Sequence, residues 1–377
     1  DISLADIIIV NTCTVTNTAD SKCLKMIRKI KREHPNALLV VVGCSSQNKQ
    51  ELYKTLGIDL LLGNKDKSKI ALLINEVLST KSPCVRFYND RNLEFESMEL
   101  CDYDHIRAFI KIEDGCDNFC SYCIIPYVRG SVRSKNYEEV LNEAKNLALS
   151  GHKEIVLTGI HTGRYASNQH DLSDLLHDLA AIEEIERIRL SSIEITELND
   201  KFLEELRVNK KLCDHLHIPL QAGSDFVLKK MNRKYDTAYF EEKLTEIRSI
   251  RPQISITTDI IVGHPYETEA YFEETLLFSE KVNFAKIHVF PYSKREGAKA
   301  ASMMEQVSEI DKKKRVKKLM ELSSRQEKEY YDTFKGVNMD ILIEEVIGAK
   351  SFGHTSNYLY VELDEVLEVG KIYSRKL

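Results

Sequence analysis

The chain has 377 residues, which is too long for one ordinary domain and suits two or three. Its hydrophobic content of 43% and charged content of 30% are typical of a soluble globular protein and exclude a disordered one. A formal net charge of −6 argues against a protein that coats nucleic acid unselectively, although a basic face can still exist on an acidic protein.

Neither a membrane span nor a signal peptide is evident. The sequence has no uninterrupted apolar run of about 18 residues, and its start lacks the basic, apolar and small-residue zones of a signal peptide. We therefore predict a cytoplasmic protein with no membrane partner. Its nine cysteines are odd in number and unevenly placed, which favours thiolate ligands to a metal over a disulfide framework.

Apolar runs alternate with an amphipathic stretch in the first segment, which we assign to residues 1–80. Three strands are predicted there, over 6–10, 37–42 and 58–62, and one helix over 18–33. This alternation is typical of a parallel sheet in an α/β domain, where ligands bind beyond the carboxyl ends of the strands. Cys13 and Cys44 each follow such a strand, so they could share one metal centre. Two small buried cysteines are the structural alternative.

A second segment, residues 105–335, follows a polar, acidic connector over residues 81–104. Six strand-like runs recur in it, with helical patterns between them: 107–112, 154–157, 187–190, 215–218, 254–262 and 286–290. Six repeats are too few for a complete eight-stranded barrel, so we predict an open, partial (βα)6 barrel of the α/β class. In this architecture the loops that follow the strands form the active face.

The pattern changes to short strands in the last segment, residues 336–377, after a charged helix over 306–335. Strands are predicted over 340–344, 358–363 and 371–374. A β domain of roughly forty residues is near the lower limit for independent folding, so we expect it to dock on the barrel or to be incomplete in this sequence.

Basic residues cluster at two places that are candidates for an RNA-facing surface. They are Lys229, Lys230, Arg233 and Lys234, and the run 312–318. For the second cluster a solvated helix face is an equally good interpretation.

Three cysteines stand in a short loop directly after the first predicted barrel strand. Cys116, Cys120 and Cys123 have the spacing C-x3-C-x2-C. Three thiolates this close can hold three irons of a [4Fe–4S] cubane and leave the fourth iron open for a small molecule. A zinc site is the alternative, but structural zinc sites usually complete four ligands at other spacings, and no paired C-x2-C occurs elsewhere in the sequence.

This loop resembles that of the radical S-adenosylmethionine (SAM) superfamily. The resemblance implies that the amino and carboxylate groups of SAM bind the open iron. It also implies that one electron cleaves the sulfonium to give a 5′-deoxyadenosyl radical, which abstracts a hydrogen atom. Cys116, Cys120 and Cys123 are accordingly the predicted catalytic residues, and the protein positions cofactor and substrate and excludes water.

Further motifs, spread over nearly the whole chain, resemble the methylthiotransferases. They are Asn11-Thr12-Cys13, Gly43-Cys44, the run 124–130 (IIPYVRG), the run 217–224 (HIPLQAGS) and the TRAM-like run 353–359 (GHTSNYL). The resemblance implies an N-terminal domain with a second [4Fe–4S] cluster, the radical barrel and a C-terminal TRAM β domain that grasps tRNA. Cys13 and Cys44 match two of the three ligands of the second cluster. The family's first ligand lies upstream of the first strand, and we expect the given sequence to begin after it.

Three stretches resemble the bacterial enzymes that act on N6-threonylcarbamoyladenosine in tRNA: 11–17, 159–163 and 288–297. The resemblance implies insertion of a methylthio group at carbon 2 of an adenine beside the anticodon. The implied partners are the tRNA anticodon stem-loop, an electron donor and a sulfur donor. Alternatives within the family are the isopentenyladenosine enzyme and the enzyme that modifies a ribosomal-protein aspartate. A non-catalytic, zinc-containing RNA-binding protein is the alternative of a different class.

Candidate contacts to the cofactor lie in the cysteine loop and the strand-end loops: Tyr122, Thr158, Gly159, Ser192, Glu194, Gln221, Asp259 and Gly263. Tyr122 could pack against the adenine or be a core aromatic. Arg129 and Arg133 are candidates for the substrate's carboxylate or a phosphate, because a guanidinium forks onto either; a surface role is the alternative.

One turn departs from the family pattern. The family usually has Gly-Phe-Pro-Gly-Glu-Thr where this chain has GHPYET at 263–268. If the second glycine takes a positive φ, Tyr266 is expected to be strained or to rearrange the turn.

Overall fold

A computed structural model describes residues 4–98 and 105–377 of the chain. The start of the predicted segment 1–80, residues 1–3, and the end of the predicted connector 81–104, residues 99–104, lie outside that description. The described residues form two compact units: 4–98, 115–132 and 293–302 make up the first, and 105–114, 133–292 and 303–377 the second. The C-x3-C-x2-C loop thus groups with the N-terminal residues, although it follows the first barrel strand in the sequence.

A four-stranded parallel sheet is the centre of the first unit. Its strands are β1 Ile7–Thr12, β2 Leu38–Gly43, β3 Leu60–Leu62 and β4 Cys84–Arg86, and they lie in that order. Its helices are α1 Asn17–Glu33, α2 Cys44–Asn48, α3 Gln50–Lys54, α4 Ile70–Thr80 and α5 Ile125–Arg129. The three predicted strands and the predicted helix are confirmed. Strand β4 was missed because its three residues carry no apolar run.

Both faces of this sheet are covered, which explains why its strands are continuously apolar. Leu39 and Val41 pack with Ile27 of α1 on one face. Val40 and Val42 point to the opposite face, into the cluster that contains α4. Strands buried on both faces lose the alternation of polar and apolar residues that a half-exposed sheet shows.

The partial barrel of the second unit is confirmed. Its strands are β5 Arg107–Lys111, β6 Glu113–Asp114, β7 Arg133–Ser134, β8 Glu154–Thr158, β9 Ala166–Ser167, β10 His170–Asp171, β11 Arg187–Leu190, β12 His215–His217, β13 Ser255–Val262 and β14 Lys286–Pro291. Strands β5, β8 and β11 form one parallel sheet, and β12, β13 and β14 form another. A parallel bridge between Ile188 of β11 and Leu212 connects the first sheet to the segment just before β12. The other four strands form two short antiparallel pairs.

The helices of the second unit begin where the sequence supplies a capping side chain. They are α6 Tyr137–Leu149, α7 Leu172–Ala180, α8 Asp200–Val208, α9 Asp225–Lys230, α10 Thr237–Ile250, α11 Glu269–Val282 and α12 Glu309–Asp332. Every one of them except α9 has an N-cap side chain that accepts a hydrogen bond from a first-turn amide. The caps are Asn136, Asp171, Asn199, Asp236, Thr268 and Ser308.

The last segment is a four-stranded antiparallel sheet. Its strands are β15 Asn338–Ile347, β16 Lys350–Thr355, β17 Tyr360–Leu363 and β18 Ile372–Lys376, in the order β17-β16-β15-β18. Strand β16 was not predicted because its sequence, KSFGHT, is largely polar and contains a glycine. Phe334, just beyond α12, joins the apolar core of this sheet with Ile341 and Ile343.

The small sheet docks on the barrel, as expected, through two buried arginines of β11. Arg187 and Arg189 donate hydrogen bonds to main-chain carbonyl groups of the C-terminal segment. The acceptors are the carbonyl oxygens of Asp340, His354, Thr355 and Ser356, at 2.6–3.3 Å. Because these carbonyl groups have no water to bond when buried, the arginines supply the donors that docking requires.

The buried carboxylate of Glu154 balances these arginines. Its Oε1 atom lies 2.6 Å from Nε of Arg189, and its Oε2 atom lies 3.5 Å from Nη1 of Arg187. Burial by itself would raise the pKa of Glu154, but the two guanidinium groups outweigh burial and hold the pKa below its usual value. The site is therefore charged, paired and buried.

We predict that Arg189→Met lowers the free energy of unfolding by about 3 kcal/mol, because it removes the nearest cation from a buried carboxylate. Urea denaturation followed by circular dichroism measures this. Arg375→Met is the matched control, since Arg375 pairs with Glu365 at the surface and should matter much less. Equal losses in the two variants would contradict the assignment of Arg189 to the docking site.

Candidate metal and cofactor site

Cys13 and Cys44 leave the first sheet side by side. Thr12 and Gly43 are paired across β1 and β2, so the next residue of each strand emerges at the same edge. Gly43 has a φ of 114°, and a Cβ atom there would lie 2.4 Å from the carbonyl oxygen of Thr12. Only glycine fits this position. The two cysteines thus have the neighbouring placement that the sequence predicted, and ligation of a metal stays a prediction.

The sulfur of Cys44 lies among hydrogen-bonding groups. Cys44 is 5% exposed, and its Sγ atom accepts a hydrogen bond from Nε of Arg129 at 3.2 Å. The Sγ atom is also 3.4 Å from Oδ1 of Asn64, whose Nδ2 atom donates to the carbonyl oxygen of Val128 at 2.7 Å. Ile124 and Val128 pack against Cys44. Helix α5, which follows the C-x3-C-x2-C loop, is therefore held on this cysteine.

The C-x3-C-x2-C loop is shaped by its own main chain. The amide of Cys123 donates to the carbonyl oxygen of Cys120 at 3.0 Å, which forms a turn between the second and third cysteines. The amide of Cys116 donates to the carbonyl oxygen of Gly130 at 3.1 Å, which closes the loop at its base. All three cysteines are half-buried. The loop therefore presents three thiols from a closed, short segment.

The donor set suits clusters bound through thiolates. Main-chain amides two residues further on approach the sulfur atoms of Cys13, Cys116 and Cys123 at 3.4–3.5 Å. Hydrogen bonds to cysteine sulfur are one of the means by which proteins tune iron–sulfur clusters. Within residues 4–98 and 105–377, no three His, Cys, Asp or Glu side chains are grouped as ligands of a single metal ion. A cubane instead distributes its cysteines over different irons.

The segment 293–302, distant in sequence, forms hydrogen bonds with residues near Cys13 and with the C-x3-C-x2-C loop. Nη2 of Arg295 is 2.7 Å from Oδ2 of Asp20 and 2.5 Å from Oγ1 of Thr14. Burial raises the pKa of Asp20, but hydrogen bonds from Ser45, Lys49 and Arg295 bring it below its usual value. The amide of Ala300 donates to the carbonyl oxygen of Ser121, in the C-x3-C-x2-C loop, at 2.7 Å. Sequence reasoning did not identify these contacts, because no local pattern pairs Arg295 with Asp20.

The predicted cofactor residues of the second unit lie at one edge of the barrel. Most are at or near the carboxyl ends of four parallel barrel strands: Thr158 and Gly159 at β8, Ser192 and Glu194 after β11, Gln221 after β12, and Gly263 after β13, with Asp259 within β13. Tyr122 lies in the first unit and is half-buried. The shared edge is the one where (βα) barrels bind ligands. Contacts of these residues with a cofactor stay predictions.

Gln221 has features that suit a ligand-binding residue. Its φ of 69° is unusual for a residue other than glycine. Two main-chain hydrogen bonds hold it against β13, to the carbonyl oxygen of Asp259 at 2.8 Å and from the amide of Ile261 at 2.9 Å. Its Oε1 atom is buried, and the described residues offer it no hydrogen-bond donor. A buried acceptor held in a strained conformation fits a site that a ligand completes.

Other predicted residues have partners within the protein. Glu194 forms an ion pair with Arg233, and the carbonyl oxygen of Ser192 accepts a hydrogen bond from the hydroxyl of Thr162. Asp259 lies 3.3 Å from Nε2 of His217. These contacts hold the side chains of Glu194 and Asp259 and the main chain of Ser192 in place.

Glu113 was not singled out from the sequence, yet it organises the loop after β8. Its Oε2 atom accepts hydrogen bonds from the amides of Ile160 at 2.8 Å and His161 at 2.6 Å. A Cβ atom at Gly159 would lie 2.8 Å from the same oxygen, so a side chain there would have to displace the Glu113 carboxylate. Burial raises the pKa of Glu113 to about 7, although the two amides oppose the shift.

The departure at residues 263–268 has the conformational consequence expected from the sequence. Tyr266 adopts a φ of 69°, which is strained for a residue with a side chain. Its amide donates to the carbonyl oxygen of Glu305 at 2.8 Å, and Nζ of Lys230 lies 4.3 Å from the centre of its ring. The amide of Gly263 donates to Oε1 of Glu267 at 2.7 Å. These contacts maintain the turn without the second glycine.

Some of the basic side chains assigned to RNA or substrate from the sequence have partners inside the protein. Arg133 lies 3.0 Å from Oδ2 of Asp114, so its substrate role stays a prediction without support from this contact. Arg233, predicted on a basic surface, is almost fully buried. Within the run 312–318, Lys312 and Arg315 are also buried. Lys313, Lys314, Lys317 and Lys318 of the same run are exposed, so an RNA-facing surface there stays a prediction.

The raised pKa of Glu113 predicts a specific pH dependence. Because the folded protein binds this proton more tightly than the unfolded chain, the contribution to stability is complete below about pH 4.5 and is lost as pH rises through about 7. The loss should be on the order of 3 kcal/mol. Glu113→Gln should remove this pH dependence, while its side-chain carbonyl oxygen can still accept hydrogen bonds from both amides.

Urea denaturation of both proteins between roughly pH 5 and pH 8 measures this dependence. The difference in unfolding free energy between wild type and Glu113→Gln should change across that range. A constant difference would show that Glu113 titrates normally in the folded protein.

Comparisons with known proteins identify two matching families. Residues 110–279 match the Radical SAM superfamily, and residues 1–63 match the Uncharacterized protein family UPF0004. The structure of the radical S-adenosylmethionine methyltransferase TsrM from Kitasatospora setae is similar with a TM-score of 0.59 and 13% identity, over 76% of this chain and 64% of that one. At this identity the likeness shows the fold alone, which is that of radical SAM enzymes.

Two curated relatives are similar over nearly the whole chain. The threonylcarbamoyladenosine tRNA methylthiotransferase MtaB of Bacillus subtilis (strain 168) is 39% identical over 385 residues, covering 99% of this chain and 85% of the relative. The tRNA-2-methylthio-N(6)-dimethylallyladenosine synthase of Acetivibrio thermocellus is 36% identical over 356 residues, covering 92% of this chain and 74% of the relative. The chain therefore belongs to the radical SAM methylthiotransferase family.

Proposed function

We propose that this protein transfers a methylthio group to carbon 2 of N6-threonylcarbamoyladenosine beside the anticodon of tRNA. The observation that carries the proposal is the 39% identity, over 99% of this chain, to a relative named for that reaction. The placement of Cys13 and Cys44 at one sheet edge supports it, since the reaction needs a second cysteine site besides the C-x3-C-x2-C loop.

Five cysteines of this sequence would be ligands of the two [4Fe–4S] clusters. Cys116, Cys120 and Cys123 would hold the cluster that binds SAM, and Cys13 and Cys44 would contribute to the second. When bound, these groups supply radical chemistry and the sulfur for transfer. An adenine C–H bond is unreactive toward ordinary acids and bases, so the side chains of this protein cannot activate it alone.

The chain's own residues would bind and orient SAM at the carboxyl edge of the barrel strands. Gln221 supplies a buried acceptor, and Asp259 is oriented by His217. Glu113 fixes the loop at Gly159 through two amides, so that the main chain there is set before a ligand arrives. Such preorganisation reduces the free energy that binding must spend on ordering the site.

The proposed reaction also defines partners and a place of action. It requires an electron donor for SAM cleavage and a sulfur donor for each turnover. Because its substrate would be tRNA, we infer that it acts in the cytoplasm. Among the described residues, no helix combines the length and apolar character needed to cross a membrane.

Isopentenyladenosine in tRNA is the second candidate substrate. The relative from Acetivibrio thermocellus, named for the dimethylallyl compound, is 36% identical over 92% of this chain. The two substrates differ in the group on N6, which is polar and carries a carboxylate in one and is apolar in the other. A site that hydrogen-bonds a polar group can reject an apolar analogue strongly, so the two activities should be separable.

Mass spectrometry of tRNA nucleosides tests the proposal. The protein is expressed in a bacterial strain that lacks its own methylthiotransferases but makes both precursors. We expect 2-methylthio-N6-threonylcarbamoyladenosine to appear and isopentenyladenosine to remain unchanged. Cys120→Ala should abolish the product. Methylthiolation of isopentenyladenosine alone would establish the second candidate, and no methylthiolated nucleoside at all would reject both.

A further inference from the structure

We propose that a basic groove of the first unit binds the single-stranded nucleotides of the anticodon loop that flank the target adenosine. This inference rests on the proposed function and adds the surface that recognises its RNA. The groove has a volume of about 870 Å³. Its principal lining residues are Asn48, Lys49, Tyr127, Lys294, Arg295 and Lys299.

The groove is positive on an acidic protein. Four cationic side chains line it, and Glu296 is acidic. Lys49 and Arg295 share the buried carboxylate of Asp20, whereas Lys294 and Lys299 are exposed and form no ion pair within the part of the chain that the structure describes. Two unpaired lysines beside a groove are suited to phosphate groups, which supply most of the electrostatic affinity for nucleic acid.

An exposed aromatic ring provides a surface for a base. Tyr127 is 54% exposed, so its ring is accessible to a base. The ring of Phe119 meets it edge-on at 5.6 Å, and the guanidinium of Arg91 lies 4.6 Å from the centre of the Phe119 ring. Tyr127 is thus supported on one side and open on the other. Unstacked loop bases commonly stack on such rings.

The groove is built from the elements that hold both cysteine sites. Tyr127 lies on α5, which packs against Cys44, and Asn48 ends the helix that begins at Cys44. The segment with Lys294 and Lys299 is joined to the C-x3-C-x2-C loop through Ala300. RNA in the groove would therefore lie against the walls of the cysteine sites. This favours the nucleotides next to the reacting base over a distant part of tRNA.

A single-stranded loop fits these features better than a protein partner or a duplex. Phosphate contacts alone would serve any nucleic acid, but an open tyrosine ring can stack only on a base that is already exposed. An anticodon loop offers exposed bases and closely spaced phosphates together. The second basic surface considered from the sequence, the run 312–318, is the weaker candidate. Lys312 and Arg315 are buried, and Lys314, Lys317 and Lys318 are paired with carboxylates.

Binding of a fluorescent anticodon stem-loop containing N6-threonylcarbamoyladenosine tests the groove. Lys294→Glu/Lys299→Glu should weaken binding by roughly tenfold or more and lower the dependence of log K on log salt by roughly 1.4, the value for two single-strand phosphate contacts. Lys22→Glu/Lys25→Glu, the same charge change at exposed positions of α1, is the matched control and should have a much smaller effect.

Tyr127 is tested in parallel by two variants. Tyr127→Ala should weaken binding by roughly 5- to 100-fold, and Tyr127→Phe should restore it, because the ring and not the hydroxyl provides stacking. Circular dichroism and iron content confirm that each variant is folded. RNA-independent cleavage of SAM serves as the second readout, and the lysine variants should retain it.

The outcomes separate the groove from the proposed function. If the wild type does not bind the stem-loop, the proposed function fails. If the wild type binds and the groove variants bind equally well, or lose no more affinity than the Lys22→Glu/Lys25→Glu control, the groove proposal is overturned and the proposed function stands. Loss confined to the groove variants, with rescue by Tyr127→Phe, supports the groove.

Discussion

The pairing of Thr12 with Gly43 across β1 and β2 is the constraint on which the cysteine sites depend. Parallel strands in this register release Cys13 and Cys44 at one edge, and the absence of a side chain at Gly43 permits the close approach. Helix α5 then packs on Cys44, with Arg129 donating to its sulfur. A shift of register by one residue would separate the two thiols and reverse the faces of the strand.

Buried charge organises both units as much as apolar packing does. In the first unit, Asp20 gathers Lys49 and Arg295 and so ties the segment 293–302 to the N-terminal residues. In the second, Glu154 balances the arginines that dock the C-terminal sheet. Each carboxylate is surrounded by its own donors, as buried ions must be.

The sequence was most informative where apolar pattern and motif spacing coincide. The six barrel strands, the first sheet and the neighbouring placement of Cys13 and Cys44 were all predictable, because strand runs and the positions just after them are local features. Glu113, Asp20 and Arg295 were not. Their roles depend on partners far away in the chain, and hydrophobic periodicity records burial of apolar side chains but not the pairing of charged ones. The burial of Lys312 and Arg315 escaped prediction for the same reason.

Iron and acid-labile sulfide per chain, measured after anaerobic reconstitution, test most directly that the protein holds two separate cubanes. Wild type should contain about eight irons. Cys44→Ala and Cys120→Ala should each lose about four and retain the other four, because each removes a ligand from a different cluster. Loss of all iron from either variant, an unchanged content in Cys44→Ala, or stoichiometric zinc in wild type would contradict the two-cluster account.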